Sequence, residues 1–408
     1  MSDGLVIVGG SYAAMQIAAS AREAGYGEPI RIVSEEPVLP YQRPPLSKGY
    51  LTGKFAPTAL PLRAEAFYRD NRIEPLLGTR AEALDLGAGR VTLAGGGHLA
   101  FDRLALATGT RPRPLPVPGA DLDGVLFLRS LADADRLRSR LDAADSIVVI
   151  GGGFIGLELA SVAAALGKAV TVIEAQERLL ARGVSPQMAA FLAEVHRARG
   201  VTLRLGTSVR ELRGAEGRVR SVILGDGESL ATDLVLIAIG VLPNVELAAQ
   251  AGLACQDGLV VDRFARAGDQ RVVAAGDCTR HPSAFAGQLL RLESVQNAID
   301  QAKTAGTTLA GQEKPYDTVP WFWSDQYEFK LQMVGLVQGH DRHALRGSPE
   351  QRRFSIFYFR GSRLIAIDSV NRAADHMLGR KLLALGHSPT PEQVADESFD
   401  LQKLLVAT

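Results

Sequence analysis

The segment IVVIGGGFIGLELA, residues 147–160, decides the fold of this chain. Its apolar, β-branched start predicts a strand, and Gly151, Gly153 and Gly156 then fit the pattern G-x-G-x-x-G where a helix should begin. The first glycine permits a tight turn, the second lets the backbone approach a pyrophosphate, and the third lets the helix pack closely on the strand. The segment therefore predicts a strand–loop–helix unit that binds a dinucleotide.

The strand that follows, AVTVIEAQ, ends in Glu174. An acidic side chain at about this distance from the glycine loop accepts hydrogen bonds from the ribose hydroxyls of the nucleotide. A carboxylate there also repels a 2′-phosphate, so Glu174 favours NADH over NADPH. Arg178 and Arg182 lie close in sequence and weaken this expectation, because either side chain could meet a phosphate.

The opening of the chain, LVIVGGSYAAMQIAAS (residues 5–20), repeats the pattern in an altered form. Gly9 occupies the first glycine position, but Ser11 stands at the second and Ala14 at the third. Serine is small and its hydroxyl can donate to a phosphate oxygen, while alanine still permits close packing. The second strand of this copy, IRIVSEE, also ends in acids, of which Glu35 is the candidate for the ribose. We therefore predict a second dinucleotide site that is altered but not lost.

Two further strand-like segments indicate where the chain passes from one domain to another. Residues 101–119 and 233–244 each run from an apolar strand into glycine and proline, and proline cannot continue a β-ladder. After residue 318 both tryptophans appear, and later segments alternate apolar and polar residues as antiparallel hairpins do. We predict an α/β fold with two Rossmann-like dinucleotide-binding domains and a C-terminal α+β domain. The predicted boundaries are residues 1–112 and 243–317 for the first domain, 113–242 for the inserted second domain, and 318–408 for the third.

Composition excludes several classes of protein. The 408 residues contain 45 Lys plus Arg and 45 Asp plus Glu, so there is no basic excess of the kind that nucleic-acid binding requires. No segment approaches the roughly 20 apolar residues of a membrane helix, and no basic region typical of a signal peptide precedes the first strand, so a cytoplasmic location is expected. The two cysteines, Cys255 and Cys278, are too far apart for a metal-binding pattern, and no metal site is predicted.

Several motifs together resemble a known family. The paired nucleotide motifs, PYQRPPLSK (40–48), ATG (107–109), AAGDC (274–278) and PWFWSDQYE (320–328) are similar to the FAD-dependent ferredoxin reductases of oxygenase systems. The resemblance covers nearly the whole chain, and PPLSK and WFWSDQYE are more specific than the glycine loops. It implies a glutathione-reductase-like arrangement with FAD in the first domain and NADH in the second. Electrons would pass from NADH through the flavin to a small acidic iron–sulfur ferredoxin, expected to be of the 2Fe-2S class, that feeds a monooxygenase or a dioxygenase.

The resemblance also implies functional residues. Lys48 and Glu158 are the expected charged catalytic pair near the flavin and the nicotinamide, although Glu158 could instead be an acid that stabilises the N-terminus of its helix. Trp323 is expected on the flavin side of the third domain, and Trp321 in its core. The expected FAD site comprises Gly9, Ser11, Tyr12, Ala13, Ala14, Glu35, Lys48, Ala81, Thr108, Gly109, Arg129, Gly276, Asp277, Val295 and Trp323. The expected NADH site comprises Gly151, Gly153, Phe154, Ile155, Gly156, Glu158, Glu174 and Gly240.

The stretch PYQRPPLSKGYL contains no cysteine. Disulfide reductases of this architecture carry C-x-x-x-x-C at this place, so a thiol relay in the first domain is excluded. The flavin would then deliver its electrons outward directly. Because ferredoxins are usually acidic, the docking face is expected to be basic, with Arg63, Arg291, Lys303 and Lys330 as its candidates.

Two other readings of the chain stay open at this point. The first is another NADH-dependent reductase of the same fold, such as a rubredoxin reductase, a monodehydroascorbate reductase or an NADH oxidase without cysteine. The second is an NADH-sensing flavoprotein similar to apoptosis-inducing factor, which would form a long-lived reduced complex and turn over poorly. Turnover with ferredoxin distinguishes the sensor from the reductases.

Overall fold

The structure of the protein is a computed structural model that describes residues 3–405. The helices within this range are α1 Tyr12–Glu23, α2 Glu65–Asp70, α3 Leu131–Leu141, α4 Phe154–Ala165, α5 Pro186–Ala198, α6 Glu246–Gln250, α7 Val295–Leu309, α8 Ala373–Leu385 and α9 Pro391–Ala395. The first thirteen strands are β1 Leu5–Val8, β2 Ile30–Val33, β3 Ile73–Leu76, β4 Ala81–Asp85, β5 Arg90–Leu93, β6 His98–Ala100, β7 Arg103–Leu106, β8 Thr110–Pro112, β9 Val125–Leu126, β10 Ser146–Ile150, β11 Ala169–Ile173, β12 Thr202–Arg204 and β13 Val209–Ala215. The others are β14 Arg218–Leu224, β15 Ser229–Ala231, β16 Leu234–Ile237, β17 Val241–Pro243, β18 Leu259–Val260, β19 Arg266–Ala267, β20 Asp269–Ala274, β21 Thr279–Ser283, β22 Gln288–Leu290, β23 Trp321–Gln326, β24 Phe329–Gly335, β25 Arg342–Ser348, β26 Arg353–Arg360 and β27 Arg363–Val370.

The described chain forms two compact units. The first unit consists of residues 3–42, 58–111 and 242–320, and the second of residues 43–57, 112–241 and 321–405. The segment 43–57, which contains most of the PYQRPPLSK motif, thus belongs to the second unit. The division into three domains with separate cofactors stays a prediction.

A sheet of the order β19-β20-β7-β1-β2-β3 forms the centre of the first unit. All its pairs are parallel except the edge pair of β19 and β20. Strand β1 is a run of four apolar residues because it is buried on both faces, as strands of covered parallel sheets are. Helix α1 packs against α7, where a Cβ on Gly306 would lie 2.7 Å from the carbonyl oxygen of Ile17. A glycine at this position therefore allows the two helices to approach closely.

The second unit contains a parallel sheet of the order β12-β11-β10-β16-β9. Strand β10 leads into the intact glycine loop and α4, which repeats the arrangement of β1 and α1 in the first unit. These two parallel sheets confirm the predicted fold class.

The C-terminal part of the second unit is an antiparallel sheet of the order β23-β24-β27-β26-β25. The predicted hairpin of β26 and β27 is present, and six consecutive residues of β26 are buried. Helix α8 covers this sheet, and a Cβ on Gly379 would lie 2.5 Å from Cδ1 of Ile367. None of the helices within residues 3–405 has the length and apolar character needed to cross a membrane.

Candidate active site

In the intact glycine loop, two glycines are required by packing and a third leaves open space. Gly151 has φ 112°, and a Cβ there would lie 2.3 Å from the carbonyl oxygen of Ala238. A Cβ on Gly156 would lie 2.1 Å from the carbonyl oxygen of Gly151, so packing requires a glycine at both positions. By contrast, a Cβ on Gly153 would meet no atom within 4 Å from any residue other than its two chain neighbours. Since Gly153 is the N-cap of α4, its missing side chain leaves open space where backbone N–H groups can bind a phosphate.

The residues that follow open helix α4. Phe154 packs on Phe322 with ring centroids 4.8 Å apart, while Ile155 is 44% exposed. Gly240 follows strand β16 with φ 96°, and a Cβ there would lie 3.3 Å from Nη2 of Arg182. The structure thus brings Arg182 to the carboxyl end of the strand beside β10.

The carboxylate of Glu174 is held against the glycine loop. It accepts hydrogen bonds from the backbone N–H of Gly152 at 2.7 Å and of Gln176 at 2.8 Å. Arg178, which the sequence suggested as a phosphate ligand, donates instead to the carbonyl oxygens of Val184 at 2.9 Å and Ala181 at 2.6 Å. Because its guanidinium is bound to the backbone in this way, Arg178 is a weaker rival to Glu174 than its position in the sequence suggests.

Lys48 and Glu158 form the expected charged pair. Lys48 Nζ lies 2.7 Å from Glu158 Oε2, and the glutamate is only 2% exposed. The same carboxylate accepts hydrogen bonds from the hydroxyls of Ser47 at 2.5 Å and Ser324 at 2.7 Å. Glu158 lies in the second turn of α4 and is bound by side chains from two other segments. These contacts favour pairing with Lys48 over the alternative of an acid that stabilises the N-terminus of the helix.

The altered glycine loop of the first unit keeps the geometry of the intact one. Gly9 has φ 126°, and a Cβ there would lie 2.1 Å from the carbonyl oxygen of Ala107, just as Gly151 faces Ala238. Ser11 is the N-cap of α1 with extended backbone, the role that Gly153 has in α4. Tyr12 and Ala13 then open the helix, and Ala14 is fully buried. The loop therefore fits a dinucleotide, with the Ser11 side chain and the Ala14 methyl group added relative to the intact loop.

The carboxyl ends of β7 and β20 bring further predicted residues together. Thr108 Oγ1 donates to the carbonyl oxygen of Asn244 at 2.6 Å, and the Asn244 amide donates to the carbonyl oxygen of Thr108 at 2.9 Å. Gly109, with φ 63°, follows Thr108. Thr110, which directly follows the ATG motif, has its Oγ1 3.5 Å from Asp277 Oδ2 of the AAGDC motif, so the chain after β7 meets that motif at this edge of the sheet.

Gln301 on α7 is a residue that the sequence analysis missed. Its Oε1 accepts hydrogen bonds from the backbone N–H of Gly276 and from the Thr279 hydroxyl, both at 2.8 Å. Gln301 is fully buried and holds the turn that presents Asp277. A glutamine in a helix carries no motif, and no local signal connects it with a turn that precedes it by 25 positions.

The remaining predicted FAD-site residues of the first unit lie at the ends of three other elements. Glu35 follows β2, is exposed, and has Arg80 Nη1 at 3.3 Å. Ala81 opens β4 and is 9% exposed. Val295 is the first residue of α7, whose N-cap Ser294 accepts a hydrogen bond from the N–H of Asn297.

The tryptophans and Arg129 belong to the second unit. The rings of Trp321 and Trp323 lie 5.7 Å apart, and both line a cavity of about 490 Å³ along β23 and β24. Both side chains are half-buried, and the Trp321 ring also packs on the buried His376 of α8, so Trp321 lies at the edge of the predicted core. The two-residue period of a strand places positions 321 and 323 on the same face. The carbonyl oxygen of Arg129 accepts a hydrogen bond from Arg43 Nη1 at 2.6 Å.

The cysteines are poorly suited to thiol chemistry. Cys278 is 1% exposed, and burial raises the pKa of its thiol. Cys255 is half-buried, and burial followed by the charge of Glu246 raises its pKa as well. Since the thiolate is the reactive form, neither side chain favours a thiol relay.

The four candidate docking cations differ in exposure and in how far neighbouring carboxylates compensate their charge. Lys330 and Arg63 are exposed, and Lys303 is exposed with Asp300 at 2.9 Å. Arg291 is half-buried between the carboxylates of Asp257 and Glu293. Two acids compensate the charge of Arg291, which makes it a weak candidate for attracting an acidic partner.

The chain is similar to known proteins over nearly its whole length. The family model for pyridine nucleotide-disulphide oxidoreductases matches residues 3–302, and the reductase C-terminal model matches residues 321–405. Rhodocoxin reductase of Rhodococcus erythropolis is 45% identical over 403 residues, which are 99% of this chain and 94% of that protein. The crystal structure of the ferredoxin reductase for the CYP199A2 system from Rhodopseudomonas palustris matches with a TM-score of 0.96 and 45% identity, covering 98% of this chain and 99% of that one. Putidaredoxin reductase in its covalent complex with putidaredoxin matches with a TM-score of 0.95 and 38% identity, covering 100% and 99% of the two chains.

Proposed function

Because the chain belongs to the pyridine nucleotide-disulphide oxidoreductase family, we propose that it is an FAD-dependent NADH:ferredoxin reductase that supplies electrons to an oxygenase. The observation that carries the proposal is the match, over nearly the full length of each protein, to reductases that serve electron-carrier proteins. Two glycine loops of the same geometry, one in each unit, support two dinucleotide sites in the chain. We place the reaction in the cytoplasm, since it consumes NADH.

The residues of the first unit fit FAD. The Gly9 loop would hold its pyrophosphate, Glu35 would accept from the ribose, and Asp277, on a turn held by Gln301, would accept from the ribityl chain. The chemistry supplied by bound FAD is acceptance of a hydride from NADH and release of the two electrons one at a time. The residues of the second unit fit NADH, with its pyrophosphate in the open space at Gly153 and its ribose at Glu174.

Lys48 and Glu158 would orient the reactants without transferring a proton. Lysine presents a compact charge on a flexible stem, and a buried carboxylate at 2.7 Å restricts where that charge lies. Hydride transfer depends strongly on how the reacting groups are held, so a restrained ammonium is useful there.

The proposed function is tested by turnover. The purified protein should be yellow, should release FAD on denaturation, and should reduce cytochrome c with NADH only when a 2Fe-2S ferredoxin is added. Rubredoxin serves as the second acceptor. Faster transfer to rubredoxin than to any ferredoxin would favour the rubredoxin reductase alternative, and a long-lived reduced complex without transfer to either would favour the sensor.

We expect Glu174→Gln to lower the preference for NADH over NADPH about tenfold in kcat/KM, which corresponds to about 1.4 kcal/mol. The substitution removes the charge that repels a 2′-phosphate but keeps an oxygen that can accept from Gly152. Exposed Glu177, three positions further on, provides the control, since Glu177→Gln changes the net charge equally. An unchanged ratio in Glu174→Gln, or equal shifts in both variants, would refute the assignment of Glu174.

We expect Lys330→Glu to raise the KM for ferredoxin severalfold at low ionic strength and to leave ferricyanide reduction by NADH unchanged. Exposed charges mainly speed the encounter with an oppositely charged partner, and salt screens them. The effect should therefore shrink as salt is added. Lys403→Glu, at another exposed lysine, is the control for a general change in net charge. If both reversals act alike, or neither does, Lys330 does not belong to the docking face.

A further inference from the structure

Buried polar side chains continue from the Glu158 carboxylate on the side opposite Lys48. Ser324 and Gln326 of β23 are 0% and 1% exposed, and His196 of α5 is 0% exposed. Ser324 Oγ donates to Glu158 Oε1 at 2.7 Å, and Gln326 Nε2 donates to Ser324 Oγ at 3.2 Å. His196 Nε2 lies 2.9 Å from Gln326 Oε1, and Tyr327 Oη lies 3.2 Å from His196 Nδ1. We call these four side chains, Ser324, Gln326, His196 and Tyr327, the relay chain.

The hydrogen bonds of the relay chain run in one direction. Ser324 has a single hydroxyl proton, which the carboxylate of Glu158 takes, so Ser324 can only accept from Gln326. The Gln326 amide therefore turns its carbonyl oxygen to His196, whose Nε2 must carry a proton. Nδ1 is then left as an acceptor for the Tyr327 hydroxyl. Burial lowers the pKa of His196, in agreement with a neutral ring that has one donor and one acceptor.

The outer end of the relay chain lies among charged groups. The Arg199 guanidinium lies over the Tyr327 ring, 5.0 Å from its centre, and Arg199 pairs with Glu328 at 2.6 Å. Tyr327 has φ 55°, so the hairpin turn holds it in the left-handed region. The inner end, by contrast, is the carboxylate that binds Lys48.

We propose that Ser324, Gln326 and His196 are positioning residues that hold the Glu158 carboxylate, and through it the Lys48 ammonium, in the orientation needed for hydride transfer. The role in hydride transfer rests on the function proposed above. Ser324 holds the Glu158 oxygen that Lys48 does not bind, so the relay chain restricts rotation of the carboxylate about its own axis. Sites of this kind depend on such supporting groups, because small displacements of reacting groups slow a reaction strongly.

The tautomer of His196 tests the relay chain independently of turnover. In the holoenzyme labelled with 15N-histidine, nitrogen chemical shifts distinguish the two neutral tautomers, and His196→Gln identifies the signal among the seven histidines. The expected result is a proton on Nε2. In Ser324→Ala the side-chain amide of Gln326 is free to flip and exchange the places of its oxygen and nitrogen. We then expect a part of the His196 population to carry its proton on Nδ1. A proton on Nδ1 in the unmodified protein would overturn the proposal.

A matched variant separates positioning from the general loss of a buried hydroxyl. Ser355 of β26 is also 0% exposed and donates to a buried carboxylate, that of Asp375, at 2.8 Å. We expect Ser324→Ala to slow flavin reduction by NADH about tenfold with little change in the KM for NADH, and Ser355→Ala to leave both unchanged at a similar loss of Tm. Equal rates in the two variants would overturn the proposal. Failure of the unmodified protein to reduce its flavin with NADH would overturn the proposed function. The His196 tautomer would still show whether the hydrogen bonds of the relay chain run in the direction described.

Discussion

Replacing Lys48 by methionine is expected to slow flavin reduction by NADH by about 100-fold or more. Methionine keeps the length of the side chain but removes the charge that lies 2.7 Å from Glu158 Oε2. The remaining partners of the carboxylate, Ser47 and Ser324, are neutral hydroxyls. The site therefore loses the ammonium that orients the reactants and the positive charge that compensates Glu158. Orientation and electrostatic stabilisation supply much of an enzyme's rate enhancement. Stopped-flow absorbance of the flavin measures this step directly.

The same substitution should destabilise the protein. Removing one partner of a buried ion pair costs about 3–5 kcal/mol, and the partial exposure of Lys48 places the expected loss at the lower end of that range. The double variant Lys48→Met with Glu158→Gln removes the uncompensated charge, so it should recover much of the Tm without recovering the rate. Lys54→Met, at an exposed lysine six positions further on, should change neither. A single Lys48→Met variant that reduces its flavin at the normal rate would exclude the pair from the reaction.

The second large effect is expected for Gly153→Val, which should raise the KM for NADH by about 100-fold or more while Tm and FAD content stay unchanged. Gly153 has φ −81° and ψ −179°, a conformation open to any residue, and its two chain neighbours aside, no other residue has an atom within 4 Å of the place of its Cβ. The valine Cβ would therefore enter open space, which is the space proposed for the pyrophosphate. Losing the backbone approach to a phosphate affects binding directly.

Two other glycines provide controls for this prediction. Gly97 has a similarly open surrounding and an ordinary φ, so Gly97→Val should leave KM, Tm and FAD content unchanged. Gly151→Ala should instead lower the Tm, since φ is 112° and a Cβ would lie 2.3 Å from the Ala238 carbonyl oxygen. Loss of FAD from Gly153→Val, with the KM for NADH unchanged, would show that the two cofactor assignments are exchanged.

The local parts of the structure could be predicted from residues that are close in sequence. The first glycine of each loop is needed because the backbone there takes a positive φ against the neighbouring strand, and β1 and β10 are apolar because parallel strands are buried on both faces. The repetition of this pattern made the two-sheet fold predictable. Lys48 and Glu158 were predicted only through the family resemblance, because their partnership joins positions 110 apart.

The tertiary structure alone decided which polar side chains support the site. Ser324 reaches Glu158 over a separation of 166 positions, and His196 meets Gln326 over 130. The physical reason is the range of the interactions. Backbone dihedral preferences and hydrophobic periodicity act within a few residues and leave a pattern in the sequence, whereas a buried hydrogen bond depends on which segments packing brings together.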